Sequence, residues 1–148
     1  MKKVSYRRAV PTDKPAIERL FEELLRTVGD DETDGYEEGY LDKFFGGGDV
    51  IYVAVSEDKV VGYVSVELHS GFVYLDDISV TEKFRGMGIG TKLISLAERY
   101  ADERGASSAV LHVERTNISA RYFYQRLGYT VTDDEGSRFR MAKHIRKE

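Results

Sequence analysis

The stretch that most constrains this chain is Arg85-Gly86-Met87-Gly88-Ile89-Gly90, a glycine-dense turn set between a β-rich segment and a helical one. Phe72 to Val80, ahead of it, reads as a strand. Behind it, apolar residues recur at Ile89, Leu93, Ile94, Ala97, Tyr100 and Ala101, which is helical spacing, and Gly105 ends the run. Ala109 to Val113 is then another strand. Strand, helix, strand over Phe72 to Val113 specifies a parallel crossover unit, and with it a sheet with a helix on one face. Glycines let a backbone approach a ligand closely. The first amides of a helix have no partner within it, and its dipole favours negative charge there. With Arg85 adding a fixed positive charge, the turn suits a phosphate or pyrophosphate; the alternative is a tight turn that only starts a helix.

The rest of the chain surrounds this unit with strands. Val4 to Arg8 reads as a short strand, and Pro11-Thr12-Asp13 offers Thr12 or Asp13 as a helix cap. Ile17, Leu20, Phe21, Leu24, Leu25 and Val28 give the apolar face of a helix. An acidic stretch (Asp30, Asp31, Glu32, Asp34, Glu37, Glu38) leads to a short helix ending at Phe45. Val50 to Ser56 and Val60 to Leu68 read as a hairpin around Glu57-Asp58-Lys59, antiparallel to each other and to Phe72–Val80. Asn117 to Leu127 is a last helix, and Tyr129 to Thr132 and Arg138 to Lys143 flank the turn Asp133-Asp134-Glu135-Gly136. The expected fold is one mixed α/β domain over residues 1–148, with a largely antiparallel sheet.

Composition narrows the function. A net charge of −4 argues against a nucleic-acid partner. With no cysteine, a disulfide framework, a thiolate metal site and a cysteine nucleophile are all excluded. His69, His112 and His144 are far apart in sequence, so no metal is expected. The start, Met1 to Arg8, is basic without an apolar stretch behind it, and no apolar run approaches a span of about 18 residues. No signal peptide and no membrane partner are expected, and the expected location is cytoplasmic.

Two phosphate motifs fail on spacing. The dinucleotide fingerprint needs G-x-G-x-x-G, and Gly86, Gly88 and Gly90 give G-x-G-x-G. The P-loop needs Gly-Lys-Ser/Thr, and Gly90 is followed by Thr91-Lys92. Arg85, Gly88 and Gly90 instead meet Arg-x-x-Gly-x-Gly, which resembles the pyrophosphate loop of the GCN5-related N-acetyltransferases (GNAT). The run Ile78 to Phe84 ahead of it is also similar. Asn117, Ala120, Tyr124 and Gly128-Tyr129 resemble that family's second signature, at the expected distance. The resemblance covers about Val50 to Met141; the N-terminal third fits in outline.

The resemblance implies the GNAT fold, a mixed, mostly antiparallel sheet of six to seven strands flanked by about four helices. It implies acetyl-CoA as cosubstrate and an amine acceptor, attacked directly in a ternary complex. Ile78, Ser79, Val80, Arg85, Gly86, Met87, Gly88, Ile89, Gly90, Thr91 and Asn117 are the expected cofactor contacts. Tyr124, also at the cofactor, is the expected general acid for the leaving thiolate. A backbone N–H around Ile78 to Val80 should face the oxyanion. A bulge there should part the strand from its neighbour and open a slot for the pantetheine arm. Arg121 and Arg126 are candidates for the 3′-phosphate.

An acceptor amine must lose a proton before it attacks. Asp76 and Asp77 occupy ground where polyamine acetyltransferases of this family carry an acidic pair, glutamate first. Asp76 is the expected catalytic carboxylate, acting through water because its side chain is shorter; Glu67 and Glu114 are rivals. His112 alternates with Leu111 and Val113 and reads as a satisfied interior histidine. The acidic stretch from Asp30 to Glu38 would attract a cation, so the expected acceptor is a small cationic amine. A protein lysine or N-terminal amine is the alternative, and a non-catalytic acyl-CoA sensor is disfavoured by Tyr124 beside an intact glycine loop. A homodimer is left open.

Overall fold

The computed structural model describes residues 3–27 and 38–145. The strands are β1 (Ser5–Arg8), β2 (Val50–Ser56), β3 (Lys59–Leu68), β4 (Phe72–Val80), β5 (Ser108–Glu114), β6 (Thr130–Asp134) and β7 (Arg138–His144). The α-helices are α1 (Lys14–Thr27), α2 (Ile89–Glu103) and α3 (Ile118–Arg126), and Tyr40–Phe45 is a 3-10 helix. One seven-stranded sheet runs in the order β1-β2-β3-β4-β5-β7-β6. Neighbours are antiparallel except β4 and β5, the parallel pair joined through α2.

Alternation along the strands sorts the core to the two faces. Ile51, Val53 and Tyr63 meet Ile17 and Leu20 of α1 and Leu41 and Phe44 of the 3-10 helix. Val64, Val66, Val73 and Leu75 meet Leu93, Ile94, Ala97 and Ala101 of α2 on the other face. The Tyr100 hydroxyl on α2 donates to the Gly48 carbonyl at 2.6 Å, which pins the glycine stretch before β2. The β2–β3 turn is tighter than expected. Glu57 and Asp58 carry φ of 51° and 63°, the left-handed pair of a two-residue hairpin turn, and β3 therefore starts at Lys59.

Asp13 does not cap α1. Its carboxylate accepts the Val10 N–H at 2.8 Å and two hydrogen bonds from Arg7 at 2.7 and 3.0 Å. The helix opens instead with Lys14-Pro15, where a proline's missing N–H costs nothing. At the other end of the chain, β6 runs to Asp134, because Asp133 and Asp134 still pair with Arg140 and Phe139. The turn is correspondingly shorter than the sequence suggests.

A parting of strands positions the site. β4 and β5 pair only through Phe72–Ser108, Val73–Ala109 and Tyr74–Val110. Beyond Tyr74, β4 continues to Val80 against β3, and β5 to Glu114 against β7. The cause is a bulge slightly earlier than expected. Val64 pairs with Ile78 and Val66 with Leu75, so Asp76 and Asp77 stand opposite Ser65. The Asp77 N–H donates to Ser65 Oγ at 3.0 Å in place of a ladder bond. A bulge bends its strand and strengthens the local twist, and here it carries β4 away from β5.

Candidate active site

A cleft of about 570 Å³ opens where the strands part. Ile78, Ser79, Val80, Arg85, Gly86, Gly88, Ile89, Gly90, Thr91, Asn117 and Tyr124 line it, which brings together the cofactor residues expected from the sequence, with one exception. Met87 does not line the cleft; the residue is 50% exposed, because the turn directs it outward.

The turn is shaped by backbone geometry. Gly86 and Gly88 sit at φ of 75° and 81°, where a side chain is strained. Gly88 is the N-cap of α2, and the first helical bond is from Lys92 N–H to Gly88 O at 3.0 Å. The amides of Ile89, Gly90 and Thr91 precede that bond and have no carbonyl within the helix to receive them. Gly90 is not in the left-handed region, and a Cβ there would meet the Phe123 ring at 3.4 Å, an ordinary contact that leaves little room for anything larger. Arg85 is held at the turn's edge by a hydrogen bond from its Nε to the Val80 carbonyl at 2.9 Å, with the Glu23 carboxylate of α1 4.0 Å from Nη2. Glu23 also accepts from the Thr81 hydroxyl at 3.2 Å and the Glu82 N–H at 3.1 Å.

The edge of β4 supplies donors. Asp77 N–H points to Ser65 and Thr81 N–H to the Val61 carbonyl at 2.9 Å, both toward β3. Alternation along a strand then turns the amides of Ile78 and Val80 toward the gap.

Asn117 caps α3, its Oδ1 accepting the Ala120 N–H at 3.2 Å, and also lines the cleft, so its amide nitrogen remains a donor there. Two turns on from Asn117, the Tyr124 ring packs edge-to-face on Phe123 and Tyr129, at 5.2 and 6.1 Å between centroids. Its hydroxyl has no hydrogen-bond partner among the described residues. Burial, and secondarily the negative charge of Asp77, push it up to about 12. The two arginines of α3 part company: Arg126 lines the cleft, whereas Arg121 stacks on Phe139 at 5.1 Å.

Asp76 lies outside the cleft lining, on the α1 face of the sheet, where its carboxylate accepts from the Tyr40 hydroxyl. Burial raises its carboxyl above the ordinary value; the Tyr40 hydrogen bond opposes this. Glu67 is occupied by Lys43 at 2.6 Å and His69 at 3.2 Å. Burial works to raise its carboxyl, but those bonds and charges outweigh it and hold it below the ordinary value. Glu114 is exposed at the end of β5. Asp30, Asp31, Glu32, Asp34 and Glu37 lie outside the described residues; Glu38 is described and exposed. Tyr40 and Tyr74 are additions that no sequence signal announced. Tyr74 stands beside His112, which is hydrogen-bonded on both ring nitrogens.

Comparison with known proteins agrees with this geometry. A family model described as "Acetyltransferase (GNAT) family" matches residues 15–129. The chain is 34% identical over 83 residues to N-alpha-acetyltransferase 30 of Schizosaccharomyces pombe, covering 53% of this chain and 55% of that one. It is 32% identical over 125 residues to streptothricin acetyltransferase of Streptomyces lavendulae, covering 82% and 61%. The chain thus spans little more than half the length of these curated relatives. The crystal structure of PaiA N-acetyltransferase from Thermoplasma acidophilum, solved with coenzyme A, has the same fold. Its TM-score is 0.79 at 18% identity, over 96% of this chain and 99% of that one. A cleft opened by a bulge, a glycine turn beneath it and a family match across most of the domain lead to one statement: the chain belongs to the acetyltransferase (GNAT) family.

Proposed function

We propose that this protein transfers the acetyl group of acetyl-CoA to the primary amine of a small cationic molecule, by direct attack in a ternary complex. The observation that carries this reading is the Tyr124 hydroxyl at the cleft where β4 leaves β5, beside a turn whose free amides suit a pyrophosphate. In this reading the pyrophosphate lies against the amides of Ile89, Gly90 and Thr91, with Arg85 as its cation. The pantetheine arm lies in the gap, where the β4 edge offers it hydrogen bonds. The Ile78 or Val80 amide faces the thioester oxygen and stabilises the negative charge that develops on attack.

A hydroxyl at about 12 is protonated throughout the neutral range. A thiol ordinarily titrates near ~8.5, so complete proton transfer from Tyr124 to the thiolate is uphill. Donating a hydrogen bond is not. Tyr124 therefore stabilises the departing sulfur and passes its proton on as the adduct nitrogen gives up one of its own.

The acceptor enters from the α1 face. There Asp76 is a carboxylate paired with a phenol rather than with a cation, since Lys43 is engaged by Glu67. A buried carboxylate in that state favours an ammonium group. The match to streptothricin acetyltransferase, over 82% of this chain, supports a small molecule over a protein. The test is a panel of spermidine, an aminoglycoside, a lysine peptide and a neutral amine with acetyl-CoA, read as released thiol. The chain has no cysteine to add background. Cationic small molecules should give the highest kcat/KM. A preferred peptide would replace this reading with the protein one, and no thiol above the amine-free rate would overturn acetyl transfer itself.

A further inference from the structure

We infer that Glu23 of α1 competes with the cofactor's pyrophosphate for Arg85, and so keeps spent CoA from holding the site. The inference rests on the acetyl-transfer reading, in which Arg85 is the pyrophosphate's cation. Glu23 belongs to a helix packed on the opposite face of the sheet from α2. Its carboxylate nevertheless reaches the segment that joins β4 to the glycine turn. The Thr81 hydroxyl donates to it at 3.2 Å and the Glu82 N–H at 3.1 Å. The Arg85 guanidinium stands 4.0 Å away, through Nη2.

These contacts separate into a hydrogen-bonding part and a charge part. Thr81 opens the 3-10 turn Glu82–Phe84 and makes no cap bond with its own side chain. Glu23 supplies that acceptor from another element, which fixes the path of the chain into Arg85. A neutral amide oxygen can do the same. A second bond ties the same stretch of α1 to β4: the buried Ser79 hydroxyl donates to the Leu20 carbonyl at 3.4 Å. The path of the chain is therefore held without the Glu23 charge. What the charge adds is a partner for Arg85 when the turn holds no pyrophosphate.

The strength of that pairing suits exchange. Arg85 Nε is committed to the Val80 carbonyl at 2.9 Å, so the guanidinium swings about that bond and its Nη groups serve one anion or the other. The side chains of Arg85 and Glu23 are 42% and 32% exposed, and an ion pair in that setting is weak. An arriving pyrophosphate displaces it, and it re-forms as the product leaves. Arg19 and Lys59 line, with Glu23, a groove of about 410 Å³ between α1 and the β2–β3 turn. The carboxylate thus keeps cationic company after Arg85 turns away. Acetyl-CoA and CoA carry the same pyrophosphate, so the competition weakens both equally and leaves the chemical step untouched. Its benefit falls on turnover wherever product release limits the rate. Glu23 is a positioning residue, acting on the cofactor only through Arg85.

Calorimetry and product inhibition on the full chain test this. Glu23→Gln keeps an acceptor for Thr81 and Glu82 and removes the charge, so Tm should hold. Acetyl-CoA and CoA should each bind about threefold more tightly, and CoA should inhibit turnover at a correspondingly lower concentration. In an Arg85→Ala background the same Glu23→Gln change should gain nothing, a coupling that a purely structural role would not produce. Unchanged or weaker CoA binding in Glu23→Gln overturns the inference, as does a gain that survives in Arg85→Ala. Either result leaves acetyl transfer standing. Wild-type protein that binds neither acetyl-CoA nor CoA sinks both.

Discussion

The Nε of Arg85 donates to the Val80 carbonyl at 2.9 Å, which ties the cation at the edge of the glycine turn to the last residue of β4. The guanidinium is thereby placed before any ligand arrives, with its Nη groups free to turn from Glu23 toward an anion. Arg85→Ala should weaken acetyl-CoA binding by about tenfold, the effect of one exposed charge-assisted contact. The remaining affinity should depend less on salt. Calorimetric titration at two ionic strengths checks both.

Gly88 and Gly90 should fail differently. At φ of 81° a valine at Gly88 strains the backbone at the helix start, by about 1–3 kcal/mol. Gly88→Val should therefore lower Tm and abolish acetyl-CoA binding together. Gly90→Val presses on the Phe123 ring and should displace α3, lowering kcat through Tyr124 as well as affinity. Gly90→Ala, at a 3.4 Å contact, should bind acetyl-CoA within about threefold of wild type.

Tyr124→Phe keeps the ring that packs on Phe123 and Tyr129 and removes only the hydroxyl. Acetyl-CoA affinity and Tm should hold, and kcat should drop by about 10²–10⁴-fold. Because the hydroxyl titrates at about 12, the wild-type kcat profile should show no limb from this residue between pH 6 and 9. Steady-state rates across that range decide it.

Asp76 and Asp13 should act on stability with opposite signs. The Asp76 carboxyl is raised in the fold, chiefly by burial, so its ionised form costs stability above the ordinary carboxylate value. Asp76→Asn should raise Tm at neutral pH while acceptor KM worsens. The Asp13 carboxyl is lowered, first by the Arg7 hydrogen bond and also by the Val10 N–H. Its contribution is present above ~4 and is lost as pH falls through the lower folded value. Asp13→Asn should therefore lose stability at pH 7 and differ least from wild type at pH 2–3, by thermal melts at each pH.

The glycine turn, α2 and the Asn117 cap were legible because each is written within a few adjacent residues. Asn117 and the Ala120 amide it accepts are one turn apart, and the apolar spacing of α2 needs no partner to be read. The bulge falls at Asp76 and Asp77, ahead of Ile78 to Val80, because it depends on Ser65, a residue of another strand with no periodic mark. Tyr40 and Asp76 are 36 residues apart, and Tyr74 and His112 are 38 apart; only the pairing of β4 with β5 brings the latter together. The end of β6 is hidden in the sequence because Asp133 and Asp134 are exposed edge residues whose charges suggest a turn although their backbones pair.

The parting of β4 from β5 makes this sheet two plates sharing a short seam, Phe72–Tyr74 against Ser108–Val110. Each plate completes its own ladder, and α2 bridges them on one side. A molecule lying along the gap works as a missing strand and welds the plates into a single cooperative body. At a hundred times its Kd such a ligand adds about 2.7 kcal/mol. In the ligand-free protein the Ile78 and Val80 amides line an open margin, and there hydrogen exchange should run ahead of the interior of either plate.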